Sequence, residues 1–254
     1  MNTMDVQIGA FLLAMARFSP LLMVPAFTPF AWVPASIRVT ILLALALTAM
    51  GVNAAPIPQI GMDAPLPFAL ALVGESLLGL SFSLAIVLPA AALGFSARVV
   101  DMQSGVAAAS LFNPSTHVTE SLIGTTVQWA GMMVFFTLGI HLRLLQGMVA
   151  SIDVVPLGSG RLTLLPETFI AMLSSQFLLG MMVVAPVVLG LFAIDLAVAY
   201  ASRSMPQANV YFVALPLKVL AGFVLLAGSL RFAPQLIERL YRDAFSVLPG
   251  MGAR

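Results

Sequence analysis

The chain contains no cysteine and has few charged residues or histidines. Of its 254 residues, 8% are charged, and His117 and His141 are the two histidines. Without cysteine there is no disulfide, no thiolate nucleophile and no zinc–thiolate site. Two histidines supply few metal ligands, so we expect neither a metal site nor a cofactor. The net charge of +1 gives no basic surface of the kind that binds nucleic acid.

Apolar residues dominate what remains. Hydrophobic residues make up 61% of the chain, and its mean hydropathy is +1.07. Soluble domains carry about 25% charged residues because water must wet their surface. The composition therefore predicts an all-α integral membrane protein. Helices are favoured over the strands of a membrane barrel because the apolar runs are continuous and do not alternate with polar residues.

Long apolar runs predict about six long, partly kinked helices. These runs are residues 6–27, 39–55, 66–95, 122–142, 169–201 and 210–232. A helix needs about 20 residues to cross the hydrocarbon core, so the second run is slightly short. The two longest runs contain Pro89 and Pro186, which are the expected positions of kinks.

The stretches between these runs leave no room for a separate domain, and we expect a single integral membrane domain over residues 1–254. Residues 96–121 and 143–168 are predicted to be long connections. Residues 231–243 are amphipathic, which is typical of a helix that lies on the membrane surface.

Four ionisable residues fall inside the apolar runs, namely Arg17, Glu75, Asp195 and Lys218. Each costs about 2.5–3.5 kcal/mol near the centre of a membrane helix, so such residues usually face protein or water. Asp195 and Lys218 lie at similar distances from the turn near Pro206, which predicts similar depths on adjacent helices and a buried ion pair. Arg17 and Glu75 form a second possible pair, although their depths are not fixed by the sequence.

Catalysis has little support in the sequence, and we expect no enzyme. An intramembrane protease needs a serine with a histidine, paired aspartates or an H-E-x-x-H motif. Gly94-Phe95-Ser96-Ala97 is only a fragment of a nucleophile elbow. A secondary transporter of a small solute is the alternative from another class. Such a transporter needs a polar cluster at the membrane midplane or broken helices, whereas the charges here are isolated.

Two polar stretches carry a resemblance to a known family. The first is Asp101-Met102-Gln103-Ser104-Gly105-Val106-Ala107-Ala108-Ala109-Ser110-Leu111-Phe112-Asn113-Pro114. The second is Arg203-Ser204-Met205-Pro206-Gln207-Ala208-Asn209-Val210, followed by Pro216-Leu217-Lys218. Together they resemble the FliR family of flagellar type III export components, called SctT in injectisomes. Pro156-Leu157-Gly158 matches a common Pro-Leu-Gly of that family. Asn113 departs from the aspartate that is frequent at its position.

The resemblance implies a structural subunit of a protein-export gate in the bacterial inner membrane, within the flagellar basal body. The implied partners are FliP-like and FliQ-like subunits in a helical assembly, FlhB, and unfolded exported proteins as passing substrates. It further implies a plug in the pore lumen, formed by Gly105, Val106, Ala107, Ala108, Ala109, Ser110, Leu111, Phe112, Asn113 and Pro114. The injectisome counterpart of this gate is an alternative within the family.

The resemblance also divides the chain into a FliP-like part, residues 1–168, and a FliQ-like hairpin with an amphipathic tail, residues 169–243. The tip of that hairpin carries Arg203, Pro206, Gln207 and Asn209 and would face the cytoplasm. The distribution of arginines gives the opposite orientation for this turn. By the positive-inside rule, both chain ends lie in the cytoplasm and the turn lies outside. We follow the resemblance, since subunits packed in an assembly need not obey a rule for single spans.

Overall fold

A computed structural model describes residues 3–23, 33–52, 64–105, 122–159, 166–204, 210–249 and 251. Over these residues the chain forms eight α-helices. They are α1 (Thr3–Met23), α2 (Ala35–Val52), α3 (Pro65–Ser104), α4 (Leu122–Thr137), α5 (Ile140–Val154), α6 (Pro166–Ser204), α7 (Val210–Ser229) and α8 (Ala233–Ser246). Proline is the first residue of both longest helices, where its missing N–H has no helical acceptor to lose.

Among the described residues, four helices are long and apolar enough to cross a membrane, namely α1, α3, α6 and α7. The count rises to five if α4 and α5 form one broken span, while α2 is apolar but shorter. The prediction of an all-α membrane protein is therefore confirmed. Pro89 and Pro186 lie inside α3 and α6, and both helices continue through them.

The predicted connection over residues 143–168 is wrong in its first part, which forms helix α5. Its charged residues Arg143 and Asp153 lower the local hydropathy and hide the helix from an apolar-run criterion. The buried positions nevertheless recur at helical spacing, and they are Ile140, Leu144, Gly147, Met148, Ser151 and Ile152.

Two other predicted boundaries also change. The run 122–142 is not one helix, because Gly139 adopts a left-handed conformation with φ 64° between α4 and α5. Glycine takes this conformation without the clash that a Cβ would cause. The predicted connection 96–121 begins later than expected, since α3 continues to Ser104 and stops at Gly105, whose φ is 82°.

Two compact units make up the chain. The first comprises residues 1–88, 139–174 and 241–254. In it α2 packs along α1, and the first half of α3 contributes buried residues at helical spacing. The interior of this unit is apolar except for a few polar groups, and its large buried side chains include Leu13, Phe18, Leu21, Phe82, Leu144 and Met148.

The second unit comprises residues 89–138 and 175–240. Its core joins the end of α3, the start of α4, the middle of α6 and α7. The buried residues are Ala97, Val100, Ile123, Val127, Val184, Val187, Leu191 and Leu226. Small residues allow close helix approach here, since a Cβ on Gly180 would lie 3.0 Å from the backbone of Ala92.

The amphipathic helix α8 differs from its prediction. Its apolar side is covered by the protein, with Ile237 1%, Leu240 0% and Ala244 0% exposed. An interfacial helix would instead insert this side among lipids. The interpretation of residues 231–243 as a helix whose apolar face binds the membrane is therefore wrong. A helical moment alone does not tell whether lipid or protein covers the apolar face.

Candidate functional site

An ion pair between Arg17 and Glu75 lies at the centre of the first unit. Arg17 Nε donates to Glu75 Oε2 at 2.5 Å, which joins α1 to α3. The two side chains are 0% and 2% exposed. Removing two charges from water costs several kcal/mol per ion, so such a pair persists only when its other polar atoms are also bonded.

Those other polar atoms are bonded by a third segment of the same unit. Arg17 Nη1 donates to Ser151 Oγ at 3.3 Å, and Arg17 Nη2 donates to the carbonyl of Val155 at 2.9 Å. The second carboxylate oxygen of Glu75 accepts the backbone N–H of Gly158 at 2.8 Å. The guanidinium fork thereby connects α1, α3, α5 and the turn after α5.

A glycine makes this network geometrically possible. Gly79 lies one helical turn after Glu75, at a point where α1 and α3 approach closely. A Cβ at this position would lie 2.1 Å from the carbonyl oxygen of Arg17 and 2.8 Å from Cδ of Pro20. Any larger residue would push the two helices apart, because backbone and a proline ring cannot rotate away.

The second ion pair joins the two helices of the hairpin formed by α6 and α7. Lys218 Nζ lies 2.5 Å from Asp195 Oδ1, which confirms the predicted pairing. The predicted burial is correct for Lys218 and wrong for Asp195. Its side chains are 11% and 40% exposed, so this pair is far more open than the pair of Arg17. The equal distances from the turn gave the correct depth because both helices rise by the same amount per residue.

The first polar stretch is divided between anchoring residues and residues that the structure does not describe. Both carboxylate oxygens of Asp101 accept backbone N–H groups, those of Ile123 and Gly124, at 3.1 Å each. Gln103 Nε2 donates to the carbonyl of Val188 at 3.0 Å, which ties α3 to α6. Gly105 ends α3, and the remaining predicted plug residues, 106–114, lie outside the described part of the chain.

The hairpin tip is described only in part. Arg203 is exposed in the last turn of α6, and the predicted residues Pro206, Gln207 and Asn209 lie outside the described residues. His117 also lies outside them. Over the described residues, no group of three or more acidic, histidine or cysteine side chains is placed to hold a metal ion.

Nothing in the sequence analysis indicated that Ser151 and Gly158 contact Arg17 and Glu75. Ser151 lies 134 residues after Arg17 along the chain, and Gly158 lies 83 residues after Glu75. One signal was present in the Pro156-Leu157-Gly158 motif. Gly158 has φ 76°, so the motif needs glycine there, and its N–H then reaches the Glu75 carboxylate.

The fold and these contacts define a class: an all-α integral membrane protein whose intramembrane charges neutralise one another. Each carboxylate of the two pairs faces a cation. Each pair thereby joins two helices of the chain.

Comparison with known proteins then gives the family. The family described as bacterial export proteins, family 1, matches residues 8–244, and the chain belongs to it. The chain is 27% identical over 251 residues to flagellar biosynthetic protein FliR of Bacillus subtilis (strain 168), covering 97% of this chain and 94% of that protein. It is likewise 27% identical over 217 residues to FliR of Aquifex aeolicus (strain VF5), covering 85% and 83%.

A relative from a different secretion system also matches. Yop proteins translocation protein T of Yersinia pestis is 30% identical over 175 residues, which cover 66% of each chain. The predicted resemblance to the FliR and SctT family is thus confirmed by proteins from both branches.

Proposed function

We propose that this chain is a structural subunit of the flagellar type III protein-export gate, in the bacterial inner membrane at the flagellar basal body. Unfolded flagellar proteins would pass through the pore to which it contributes. The observation that carries this proposal is the alignment with a flagellar biosynthetic protein over 97% of this chain and 94% of that relative.

The uneven burial of the helices supports an assembly with other subunits. In α3 the most apolar stretch is 67% buried within the chain, whereas the corresponding stretches of α6 and α7 are 33% and 28% buried. The hairpin of α6 and α7 therefore presents most of its surface outward. We assign this hairpin to the FliQ-like part and residues 1–168 to the FliP-like part. FliP-like and FliQ-like subunits and FlhB are the proposed partners.

Helix length also favours an assembly over an isolated membrane bundle. Helices α3 and α6 contain 40 and 39 residues. At 1.5 Å per residue each is about 60 Å long, roughly twice the thickness of the hydrocarbon core. Such helices extend beyond the bilayer unless they tilt strongly, and the parts outside lipid need protein to cover their apolar surface.

We further propose that residues Gly105 to Pro114 form a plug in the pore lumen and that Arg203 to Asn209 form a turn facing the cytoplasm. The plug carries Leu111 and Phe112 among small residues. Apolar groups in a narrow lumen keep water and ions out, yet they move aside for a passing chain.

The injectisome gate is a second candidate, because the relative from Yersinia pestis is 30% identical over 175 residues. Complementation separates the two candidates. The full chain is expressed in a flagellated bacterium that lacks its own FliR, and in a bacterium that lacks the corresponding injectisome subunit. We expect filaments and motility to return in the first strain alone. Restored secretion in the second strain alone would reverse the assignment, and restoration in neither would reject the gate function in these hosts.

Co-purification and ion conductance test the remaining parts of the proposal. Native mass measurement of the co-expressed membrane subunits should show this chain as a minor component of a hetero-complex. In cells with the assembled gate, replacing Leu111 and Phe112 with glycine should raise ion conductance, because the lumen becomes wet. Ala108→Gly in the same stretch is the matched control, since it removes only a methyl group. A monodisperse chain without partners would contradict the assembly, and unchanged conductance at normal complex abundance would contradict the plug.

A further inference from the structure

The carboxylate of Asp101 joins two helices that are distant in sequence. It lies in the last turn of α3, is 4% exposed, and accepts the N–H groups of Ile123 and Gly124 at 3.1 Å each. These two N–H groups belong to the first turn of α4, where the helix has no carbonyl of its own to bond them. Asp101 therefore caps a helix that begins 21 residues after it.

A cap of this kind matters more in this environment than in a soluble protein. Unbonded N–H groups in a water-poor interior cost several kcal/mol each, and a carboxylate at a helix N-terminus also gains from the helix dipole. Ile123 is 0% exposed, so water does not replace the carboxylate at its N–H group. Both oxygens of Asp101 are used, which leaves the carboxylate with a single favourable orientation.

Residues of α6 and α7 also contact these two helix ends. A Cβ on Gly222 of α7 would lie 3.4 Å from Ser104 and 3.7 Å from Ile123. The end of α3 and the start of α4 therefore meet at the same point of α7. Gln103 fixes α3 to the carbonyl of Val188 on α6. The two helix ends that flank residues 106–121 are thus held by bonds within one compact unit.

We infer that Asp101 is a positioning residue, which clamps the end of α3 to the start of α4 and so fixes the two helix ends that flank the proposed plug. The inference rests on the proposed function. It gives the polar residues before the proposed plug an anchoring role and leaves occlusion of the lumen to the apolar residues of the plug. Asp101 touches neither substrate nor lumen in this role. It fixes the spacing of the helix ends from which the segment extends.

A distance measurement tests the clamp without reference to transport. The chain has no cysteine, so within it spin labels attach only at introduced positions. Met102 on α3 and Met133 on α4 are 74% and 67% exposed, and both are replaced by cysteine in the full chain within its co-expressed complex. We expect one narrow distance distribution in this background. Asp101→Ala should replace it with a broad distribution, and Asp101→Asn should lie between because one acceptor oxygen remains.

Ser104→Ala is the matched control. Its Oγ donates to the backbone carbonyl of Asp101 within α3, so the substitution removes a buried polar group nearby and leaves the carboxylate bonds intact. Its distribution should stay narrow. If Asp101→Ala lowers the abundance of the complex, the comparison rests on Asp101→Asn. An unchanged distribution in the variants of Asp101 would overturn the clamp.

Ion conductance in the same cells separates this inference from the plug itself. With both correct, the Asp101 variants and the double glycine variant of Leu111 and Phe112 all raise conductance at normal abundance. If only the double glycine variant raises it while the distances broaden, the clamp does not position the plug, and the inference fails. If none raises it while the distances broaden, the plug proposal fails, and Asp101 still clamps the two helix ends.

Discussion

The Arg17–Glu75 and Asp195–Lys218 ion pairs differ in how completely the protein surrounds them. Arg17 and Glu75 are 0% and 2% exposed, whereas Asp195 and Lys218 are 40% and 11% exposed. The first pair bonds additional groups on a third segment, through Ser151, Val155 and Gly158. The second pair joins only the two neighbouring helices of a hairpin.

This difference separates two ways of using charge within a membrane protein. A closed network of several bonds specifies one arrangement of many elements, because each lost bond leaves a buried polar group unsatisfied. A single open pair fixes the relative height of two helices and leaves part of the carboxylate accessible to water or to a neighbouring subunit. Damage to the first should therefore disrupt the fold, and damage to the second should chiefly disturb the hairpin.

The largest expected effect comes from Arg17→Met. The substitution leaves Glu75 buried without a counter-charge and leaves the Val155 carbonyl without its donor. Loss of one partner of a buried pair costs about 3–5 kcal/mol. We expect a strong drop in the amount of complex in the membrane and in its thermal unfolding temperature, both measured on purified material.

Exposed Arg143 on α5 provides the matched control, and Arg143→Met should change neither quantity noticeably. The double variant Arg17→Met with Glu75→Met should recover only part of the loss, because the Val155 carbonyl still lacks its donor and the Gly158 N–H now loses its acceptor. Full recovery would show that the pair matters only through its charge and would remove the distinction between a network and a simple pair.

The next largest effect is expected from Gly79→Ala. The added methyl group would lie 2.1 Å from the carbonyl oxygen of Arg17, so α1 and α3 must separate and the ion pair must lengthen. Overpacking typically costs about 1–3 kcal/mol and more where backbone is in the way. Thermal unfolding of the complex measures the change. Gly51→Ala on α2 is the control, since nothing lies within 4 Å and alanine favours the helix. Equal outcomes for the two would contradict the close approach.

Charge exchange in the hairpin should have a smaller effect. Asp195→Lys or Lys218→Asp alone places two like charges together, whereas the double exchange restores attraction. We expect the double variant to be more stable than either single variant, with a coupling on the order of 1 kcal/mol, as for other polar contacts in membranes. The measurement is a double-mutant cycle on thermal unfolding and complex abundance. Absence of coupling would mean that each charge meets another group in the assembled gate.

Some of these contacts were predictable from the sequence, and others were not. Depth along neighbouring helices follows from counting residues, and so the Asp195–Lys218 pair was predictable. The bonds of Arg17 to Ser151 and Val155 were not, because α5 itself was hidden by its charges and distant segments meet there. For α8 the pattern was correct, but the identity of the surface covering its apolar face depends on tertiary packing.

The smallest effect is expected from Gly190→Ala in the hairpin, which contrasts directly with Gly79. A Cβ at Gly190 would lie 2.5 Å from Cδ1 of Leu225 on α7, so the obstacle is the end of a flexible side chain. A leucine can change rotamer, whereas a backbone carbonyl cannot. Alanine also favours the helix by about 1 kcal/mol relative to glycine, which offsets the crowding. We therefore expect the unfolding temperature to change little, and any loss to disappear when Leu225→Ala is added. A loss as large as that of Gly79→Ala, unrelieved by Leu225→Ala, would mean that the hairpin is packed as rigidly as the network around Arg17.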